Sequence, residues 1–530
     1  MRQYVVTASQ MKRYDANTID KFKIPSLLLM ERAALVTVEE LMRVRGDKPC
    51  RVAVVSGCGN NGGDGLAIGR LLMLQGFHVT FVLLGEESKC TEETARQICI
   101  LREYEAQIFS TIQNGEYDIV IDALFGVGLS RVVEGACRDA IEWINASNAY
   151  VCSVDIASGI SADTGGVMGC AVRANLTVTY GFRKLGHLLY PGAEYTGKLV
   201  CRQMGIDERS FLGEVPFWYT YTGTDSHVLP KRRPDGNKGT FGKALLIVGS
   251  KHAAGAAMMA AKSTFRMGAG MVKIVTAAEN TEAILQYVPE AMLLTYSEST
   301  ISSDDRDCAE QNAFMQELRE AADWADCILI GPGIGVGSTA YELLRFSVTE
   351  SSLPLIIDAD GLNLLSEHEE LKDSVADCAG RGRTVILTPH LGEFARLYGC
   401  SVTQVKEHLT EYPIELSEKL KCTVICKDAR TVVVQSGAGC GYVNTSGNAG
   451  MATAGSGDVL SGMVTGLVTQ NMPGADAAVA GVYLHGIAGD LAAERETEVS
   501  MTATDIIERI ADVVMMQQEE TRGQKTEKKP

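Results

Sequence analysis

Short apolar runs alternate along this chain with segments whose apolar residues recur at helical spacing. Residues 8–45 carry a helical period broken at Pro25. Apolar runs at 51–56, 79–84, 119–122, 150–155 and 176–180 then read as strands, with helices predicted at 66–75, 91–107 and 134–146. From 244 the alternation resumes, with strands at 244–248, 271–275, 327–330, 355–357, 385–387, 423–426 and 431–435 and a small-residue helix ending near Met267. Such alternation predicts parallel sheets covered on both faces, so the fold class is α/β in two domains. Between 209 and 238 the period dissolves into F-W-Y-T-Y-T-G-T-D-S-H and L-P-K-R-R-P-D-G-N-K-G. A linker is expected at 221–238, between domains at 1–220 and 239–514, and a disordered tail at 515–530, where hydrophobes are lacking from 517 onward.

The candidate chemistry gathers where these elements end. Residues 448–458 read N-A-G-M-A-T-A-G-S-G-D and lead into Val459, Leu460, Met463, Val464, Leu467 and Val468 at helical spacing. Backbone N–H groups at a helix start lack internal partners and carry the positive end of the dipole, which makes an anion cradle. Asp458 stands out there. A carboxylate repels a phosphate unless it has separate work, such as taking a proton from a hydroxyl, and the plainer role is an acidic cap of the first turn. Four more strand ends carry G-P-G-I-G (331–335), D-A-D-G (358–361), T-P-H-L-G-E (388–393) and K-D-A-R-T (427–431). Together they describe a cleft lined by glycines, a lysine, a histidine and acids, as a nucleotide phosphoryl site requires.

In the first half, G-C-G-N-N-G-G-D-G follows the strand at 51–56 and satisfies G-x-G-x-x-G at Gly57, Gly59 and Gly62, with Glu86 near the place of a ribose-binding acid. Asn60, Asn61 and Asp64 nevertheless crowd the loop with side chains where bare backbone normally meets pyrophosphate, which argues against a conventional dehydrogenase. Asp122 and Asp155 each close a strand, where ligands of open α/β sheets bind. Asn61, Asp122 and Ser158 offer neutral and acidic oxygens, either a set for a hard cation rather than zinc or ordinary turn caps.

Composition narrows the partners. The formal charge of −17 disfavours nucleic acid or an anionic membrane, and the three charges at 231–233 beside a proline read as a solvated linker. The cysteines are scattered, and Cys422 and Cys426 within a strand-like run read as small hydrophobes rather than metal ligands. His485 reads as a helix-packing histidine. No run is long and apolar enough for a membrane span, and the expected location is cytoplasmic.

On L-M-E-R-A (29–33), N-N-G-G-D-G (60–65), D-A-L-F-G-V-G-L-S-R (122–131) and D-I-A-S-G (155–159), residues 8–210 resemble the NAD(P)H-hydrate epimerase family. The resemblance implies a Rossmann-like α/β/α sandwich in which Asn60, Asn61, Gly62, Gly63, Asp64, the loop Gly126, Val127, Gly128, Leu129, Ser130, Arg131, Val132, and Asp155 hold the hydrated nucleotide. It also implies a potassium ion on Asn61, Asp122 and Ser158. Asp155 is the candidate acid/base for moving hydroxyl between faces of the hemiaminal carbon. Ala157 stands where the family usually has Pro, Val127 where it has Thr and Ala34 where it has Gly.

Residues 235–510 resemble the NAD(P)H-hydrate dehydratase family of ribokinase-like sandwiches, with G-S-G-D at 455–458 matching the anion hole and catalytic Asp. By that resemblance Ala256, Gly333, His390 and Asp458 contact the hydrate. Lys427, Asp428, Ala429, Arg430, Thr431 and Gly457 contact the adenine nucleotide, which brings magnesium. Asp428 stands where Gly is common. The expected function is repair of hydrated NADH and NADPH: the first domain interconverts epimers, and the second dehydrates the S form through a phosphorylated intermediate at the expense of ADP, in a homo-oligomer. The rivals are a ribokinase-type kinase of the hydroxyethylthiazole or hydroxymethylpyrimidine type with an accessory domain, and a nucleotide-sensing scaffold.

Overall fold

The computed structural model describes residues 2–113, 115–222, 229–297 and 309–527, and the side chains among them to 517. The chain divides between Trp218 and Tyr219 into two compact units, Gln3–Trp218 and Tyr219–Pro530 with Met1–Arg2. That division falls within a short strand, Trp218–Tyr221, in the stretch where the pattern dissolves, and residues 223–228 of the expected linker lie outside the described residues.

In the first unit, Arg51–Ser56 pairs in parallel with His78–Leu83 on one side and Ile119–Ala123 on the other. Ile108–Phe109 extends one edge, and Tyr150–Val154, Leu176–Tyr180 and Lys198–Arg202 the other, all parallel. The chain therefore reverses its direction of growth between Arg51–Ser56 and Ile119–Ala123, and the crevice beyond the carboxyl ends of those two strands is where such sheets bind ligands. Pro25 separates the helices Ala8–Phe22 and Ser26–Arg45, as the sequence pattern predicts. The glycine-rich stretch differs from its prediction: the helix begins at Asn60, six positions before 66. Gly62 and Gly63 permit this, because a β-carbon would lie 1.8 Å from the Gly57 carbonyl oxygen at one and 2.6 Å from the Met30 terminal carbon at the other. The helix start thus packs down onto its own entry turn.

The second unit repeats the same device. Lys243–Ile247 lies between Met271–Ala277 and Cys327–Ile330, and the parallel sheet continues through Leu355–Ile357, Val385–Leu387 and Thr423–Cys426. Met292–Tyr296 adds a parallel edge strand, and Val432–Gln435 and Gly441–Val443 close the other side in antiparallel order. The central strands Cys327–Ile330, Leu355–Ile357 and Val385–Leu387 are wholly apolar and buried, as strands covered on both faces must be. The helix Ser456–Val468 is buried almost all round and packs its glycines against Ala254–Arg266, where Gly462 would place a β-carbon 2.1 Å from Ser263 Oγ. The last helix, Ala503–Glu527, continues where composition predicts a disordered tail, because Ile506, Ile510, Val513 and Gln517 form one buried stripe that carries the helix past 515. Cys422 and Cys426 are buried within the core, and all described cysteines are free.

Candidate active sites

In the first unit the crevice at the reversal point opens into a cavity of about 1020 Å³. Its walls include Asn60, Asn61 and Asp64 from the helix start, Gly126, Val127, Gly128, Leu129, Ser130, Arg131 and Val132 from the loop after Ile119–Ala123, and Asp155. Gly62 and Gly63 do not line it. Their N–H groups already donate to the Gly59 carbonyl, so what they provide is packing.

Asp155 has a left-handed backbone (φ 65°) immediately after its strand, which only a tightly determined site retains in a non-glycine residue. Its Oδ1 accepts from Lys184 Nζ at 2.5 Å and from Thr179 Oγ1 at 3.0 Å. Lys184 also donates to Thr179 Oγ1 and lies in a parallel bridge with Val6. His187 holds the backbone of Asp155. Its Nδ1 accepts from the Lys184 N–H at 3.1 Å, which leaves the proton on Nε2 to donate to the Asp155 carbonyl at 2.9 Å. Burial, with the Lys184 charge next, lowers the pKa of His187 to about 3, so the imidazole is neutral.

Burial alone raises the pKa of Asp155, but the Lys184 ammonium outweighs it and holds the carboxyl below its ordinary range. Asp64 shows the reverse: burial first, then the charges of Asp155 and Asp15, push it well above the carboxylate range. One cavity therefore presents one carboxyl pushed below the ordinary range and one pushed above it, the kind of split that acid/base chemistry uses. Lys184, Thr179, His187, Asp15 and Tyr180 were not anticipated from sequence. The available signal was a lysine and a histidine in a glycine-bearing segment just beyond a strand end.

Asp122 and Ser158 are brought together. Asp122 Oδ2 accepts from Ser158 N at 2.9 Å and from Ser153 Oγ at 2.7 Å, and Ser158 Oγ accepts from Phe125 N at 2.9 Å. Asn61 packs on the next residue, Gly126, whose β-carbon would lie 3.2 Å from Asn61 Oδ1. Asn61 Nδ2 is buried without a partner. Amide oxygen and nitrogen exchange places on a flip, so this side chain is able to offer an unpaired oxygen there. An all-oxygen set with one orphaned amide fits a hard monovalent cation. Ala157, in place of Pro, does not loosen Ser158, which is fixed by its bonds to Asp122 and Phe125.

In the second unit, loops from both sides of the reversal point interlock: Gly249 N donates to Pro332 O and Ser250 N to Gly333 O. Gly333 (φ 64°) would place a β-carbon 3.0 Å from that of Ala256, so these two expected contacts are neighbours. Asp458 lies in the first turn of Ser456–Val468, after Gly455 in the left-handed region. Lys427, at the end of Thr423–Cys426, donates to Asp358 Oδ1 at 2.8 Å, and its Nζ lies 3.2 Å from where a β-carbon on Gly457 would be. His390 caps the helix Leu391–Tyr398, with Nδ1 accepting from Gly392 N, while Glu393 accepts from His390 N. His390 is joined to Lys427 by a parallel bridge. Residues 427–431 form a turn closed by Thr431 Oγ1 on the Asp428 carbonyl, with Asp428, Ala429 and Arg430 at its tip. Asp428 keeps an ordinary negative φ, so its side chain costs the turn nothing. His485 is buried, with Nε2 3.4 Å from Ser456 Oγ.

Burial, then the Asp358 charge, raises the pKa of Asp458 to about 7, against the opposing pull of Lys427. A carboxylate poised near neutrality at a helix N-terminus is fitted to take a hydroxyl proton where an anion binds.

These features define a two-unit α/β enzyme, with an acid/base cavity in one unit and a nucleotide phosphoryl-transfer cleft in the other. Comparison with known families agrees. Residues 244–512 match the NAD(P)H-hydrate dehydratase model, and residues 26–186 match the YjeF-related protein N-terminus model. The bifunctional NAD(P)H-hydrate repair enzyme Nnr of Thermofilum pendens is 35% identical over 95% of this chain and 94% of its own. That of Escherichia coli is 32% identical over 90% of each. The solved ADP/ATP-dependent NAD(P)H-hydrate dehydratase of Bacillus subtilis, co-crystallised with ATP and Mg2+, is 25% identical over 56% of this chain and 97% of its own, with a TM-score of 0.46. The chain belongs to the family of bifunctional NAD(P)H-hydrate repair enzymes.

Proposed function

We propose that the first unit epimerises hydrated NADH and NADPH and that the second dehydrates the S epimer at the expense of ADP. The observation that carries the reading is the placement of Asp458 in the first turn of a buried helix, with Lys427 beside that turn and a pKa of about 7. Asp458 takes the proton of the C6 hydroxyl as its oxygen attacks the terminal phosphorus of ADP and the bridging P–O bond breaks to release AMP. The C6–O bond then breaks, with phosphate taking the electron pair. The ring nitrogen supplies electrons to C6, and loss of the C5 proton restores the double bond. Phosphate leaves where hydroxide would not. Mg2+ would enter with the nucleotide, whose phosphate oxygens are the hard ligands it prefers. When bound it neutralises charge developing on the phosphoryl oxygens.

In the first unit, Asp64 gives a proton to the departing C6 hydroxyl and Asp155 takes one from the water that adds to the opposite face. The two carboxyls then exchange the proton to reset. Asn61, Asp122 and Ser158 hold potassium, which when bound supplies a fixed positive charge beside the loop 126–132. Asn60 and residues 126–132 hold the nucleotide, and the turn that follows Lys427, residues 428–431, holds the adenine nucleotide in the second unit. The free thiols suit a reducing cytoplasm, and a symmetric homo-oligomer is the expected assembly. Among the described residues no helix is long and apolar enough to cross a membrane.

The test mixes both epimers of hydrated NADH with the protein, Mg2+ and ADP or ATP, and follows the reduced-nicotinamide absorbance. Full recovery of both epimers, faster with ADP, is expected. Recovery that stops when the S form is exhausted removes the epimerase reading, and a stable phosphorylated product removes the dehydratase reading.

A further inference from the structure

Lys427 belongs by resemblance to a nucleotide-binding turn, yet its side chain leaves that turn. The tip of 427–431 is closed by Thr431 and Asp428, whereas the Lys427 ammonium runs back to Asp358 and to the first turn of Ser456–Val468. There its Nζ stands 3.2 Å from the position a Gly457 β-carbon would take. An ammonium has three N–H groups and one is given to Asp358, which leaves two for an anion at the helix mouth.

Asp358 is built to hold the lysine in that place. It is buried at a strand end, and Oδ1 accepts both Lys427 Nζ and the N–H of Ala359. Ala359 makes that second bond from a strained backbone, φ 50° and ψ −119°, which turns its N–H back onto the carboxylate. Gly331 makes room for the turn, since a β-carbon there would lie 1.8 Å from the Asp358 carbonyl oxygen. The remaining carboxylate oxygen, Oδ2, is buried without a partner, so the lysine is its main electrostatic compensation.

We propose that Lys427 is a catalytic residue of the dehydratase unit, whose ammonium, fixed by the positioning residue Asp358, clamps the transferred phosphoryl group against the first turn of Ser456–Val468. A β-carbon at Gly457 would crowd this ammonium, which sits 3.2 Å from that position. The proposal rests on the dehydratase reading, and it separates Lys427 from the nucleotide-anchoring role of its turn: a clamp on the transferred group acts on turnover, an anchor on affinity.

The experiment measures kcat and KM for ADP with the S hydrate of NADH and Mg2+ in the full-length wild type, Lys427→Met, Lys427→Arg, Asp358→Asn and the double variant Lys427→Met/Asp358→Asn. Loss of one preorganised donor to a transition-state oxyanion costs about 10²–10³-fold in kcat, which is the fall expected for Lys427→Met, with KM for ADP changing less than about 3-fold. Lys427→Arg recovers part of it. The double variant removes the Lys427–Asp358 pair together, so its fall in kcat, with ADP binding retained in calorimetry, separates lost catalysis from lost folding.

The pH profile tests Asp358. The charged groups facing Asp458 are Asp358, Asp360, Glu393 and Lys427, with His390 and His485 neutral beside them. Removing the Asp358 charge moves the acidic limb of dehydration to lower pH, and removing the Lys427 charge moves it higher. No recovery in the wild type overturns the dehydratase reading and the proposal with it. Recovery in the wild type with unchanged kcat and a raised KM in Lys427→Met overturns the proposal alone. An acidic limb that stays in place in Asp358→Asn overturns the role given to Asp358.

Discussion

Each unit sets a lysine among carboxylates beyond strand ends of its parallel sheet, and the two do opposite things with it. In the first unit Lys184 bonds the candidate catalytic carboxylate itself, which holds Asp155 below the ordinary carboxylate range, while Asp64 is pushed well above it. In the second, Lys427 bonds Asp358, a neighbour, and the candidate base Asp458 is left to rise to about 7. The same residue types thus give a fixed charge in one place and a titrating base in the other. Which carboxylate the lysine touches decides the role. Removing each acid is the most forceful way to break the comparison. Asp458→Asn should cut dehydration by about 10³–10⁴-fold, the upper range for a general base, with epimerisation unchanged. Retained dehydration removes Asp458 from the mechanism.

Removing the lysines should separate them next. Lys184 is fully buried and Asp155 nearly so. Lys184→Met leaves an uncompensated buried charge, which costs about 3–5 kcal/mol, and the first unit should unfold earlier in a thermal melt. Epimerisation should be lost with it, because an unpaired Asp155 regains its proton. Lys184→Met/Asp155→Asn removes both charges and should restore much of the stability and none of the activity. Restored activity would mean that the ionised carboxylate is not needed.

How much of this was legible in the sequence follows the same division. Both sheets, their order-giving loops and the positions of three aspartates were readable, because buried parallel strands are apolar runs and the candidate acids stand where that pattern breaks: Asp122 and Asp155 at strand ends and Asp458 at a helix start. The lysine partners were not. Lys184 is placed by a two-residue bridge to Val6, and Lys427 by a carboxylate 69 positions away, so neither pairing leaves a local trace. The start of the helix at Asn60 was missed because three glycines in its first six residues oppose a helix by propensity, whereas close packing on Gly57 and Met30 favours it. The stretch at 515–517 was misread because one buried stripe outweighs a polar composition.

The potassium set sharpens the first unit's side of the comparison. Replacing K+ by Na+ should lower epimerisation by about 10–100-fold and leave dehydration within about 2-fold, and Ser158→Ala should remove the distinction between the two ions. Equal epimerisation in both salts would mean that Asp122, Ser158 and Asn61 are structural.

The mildest test changes nothing but pH, and it addresses the comparison directly. A base must be ionised to act, so with a pKa near 7 dehydration should fall about tenfold for each unit of pH below that point. Asp155 is held below the ordinary carboxylate range, so it stays ionised through the same interval, while burial and acidic neighbours shift Asp64 the other way, well above that range. Epimerisation should therefore hold steady from pH 7 down to pH 5 and decline on the alkaline side, as Asp64 gives up its proton. Rates measured separately with the pure R and S hydrates, in one buffer series at constant ionic strength, resolve the two limbs. If both activities fall together below pH 7, the lysine contact does not set the two carboxylates apart, and the contrast between the sites must come from their substrates.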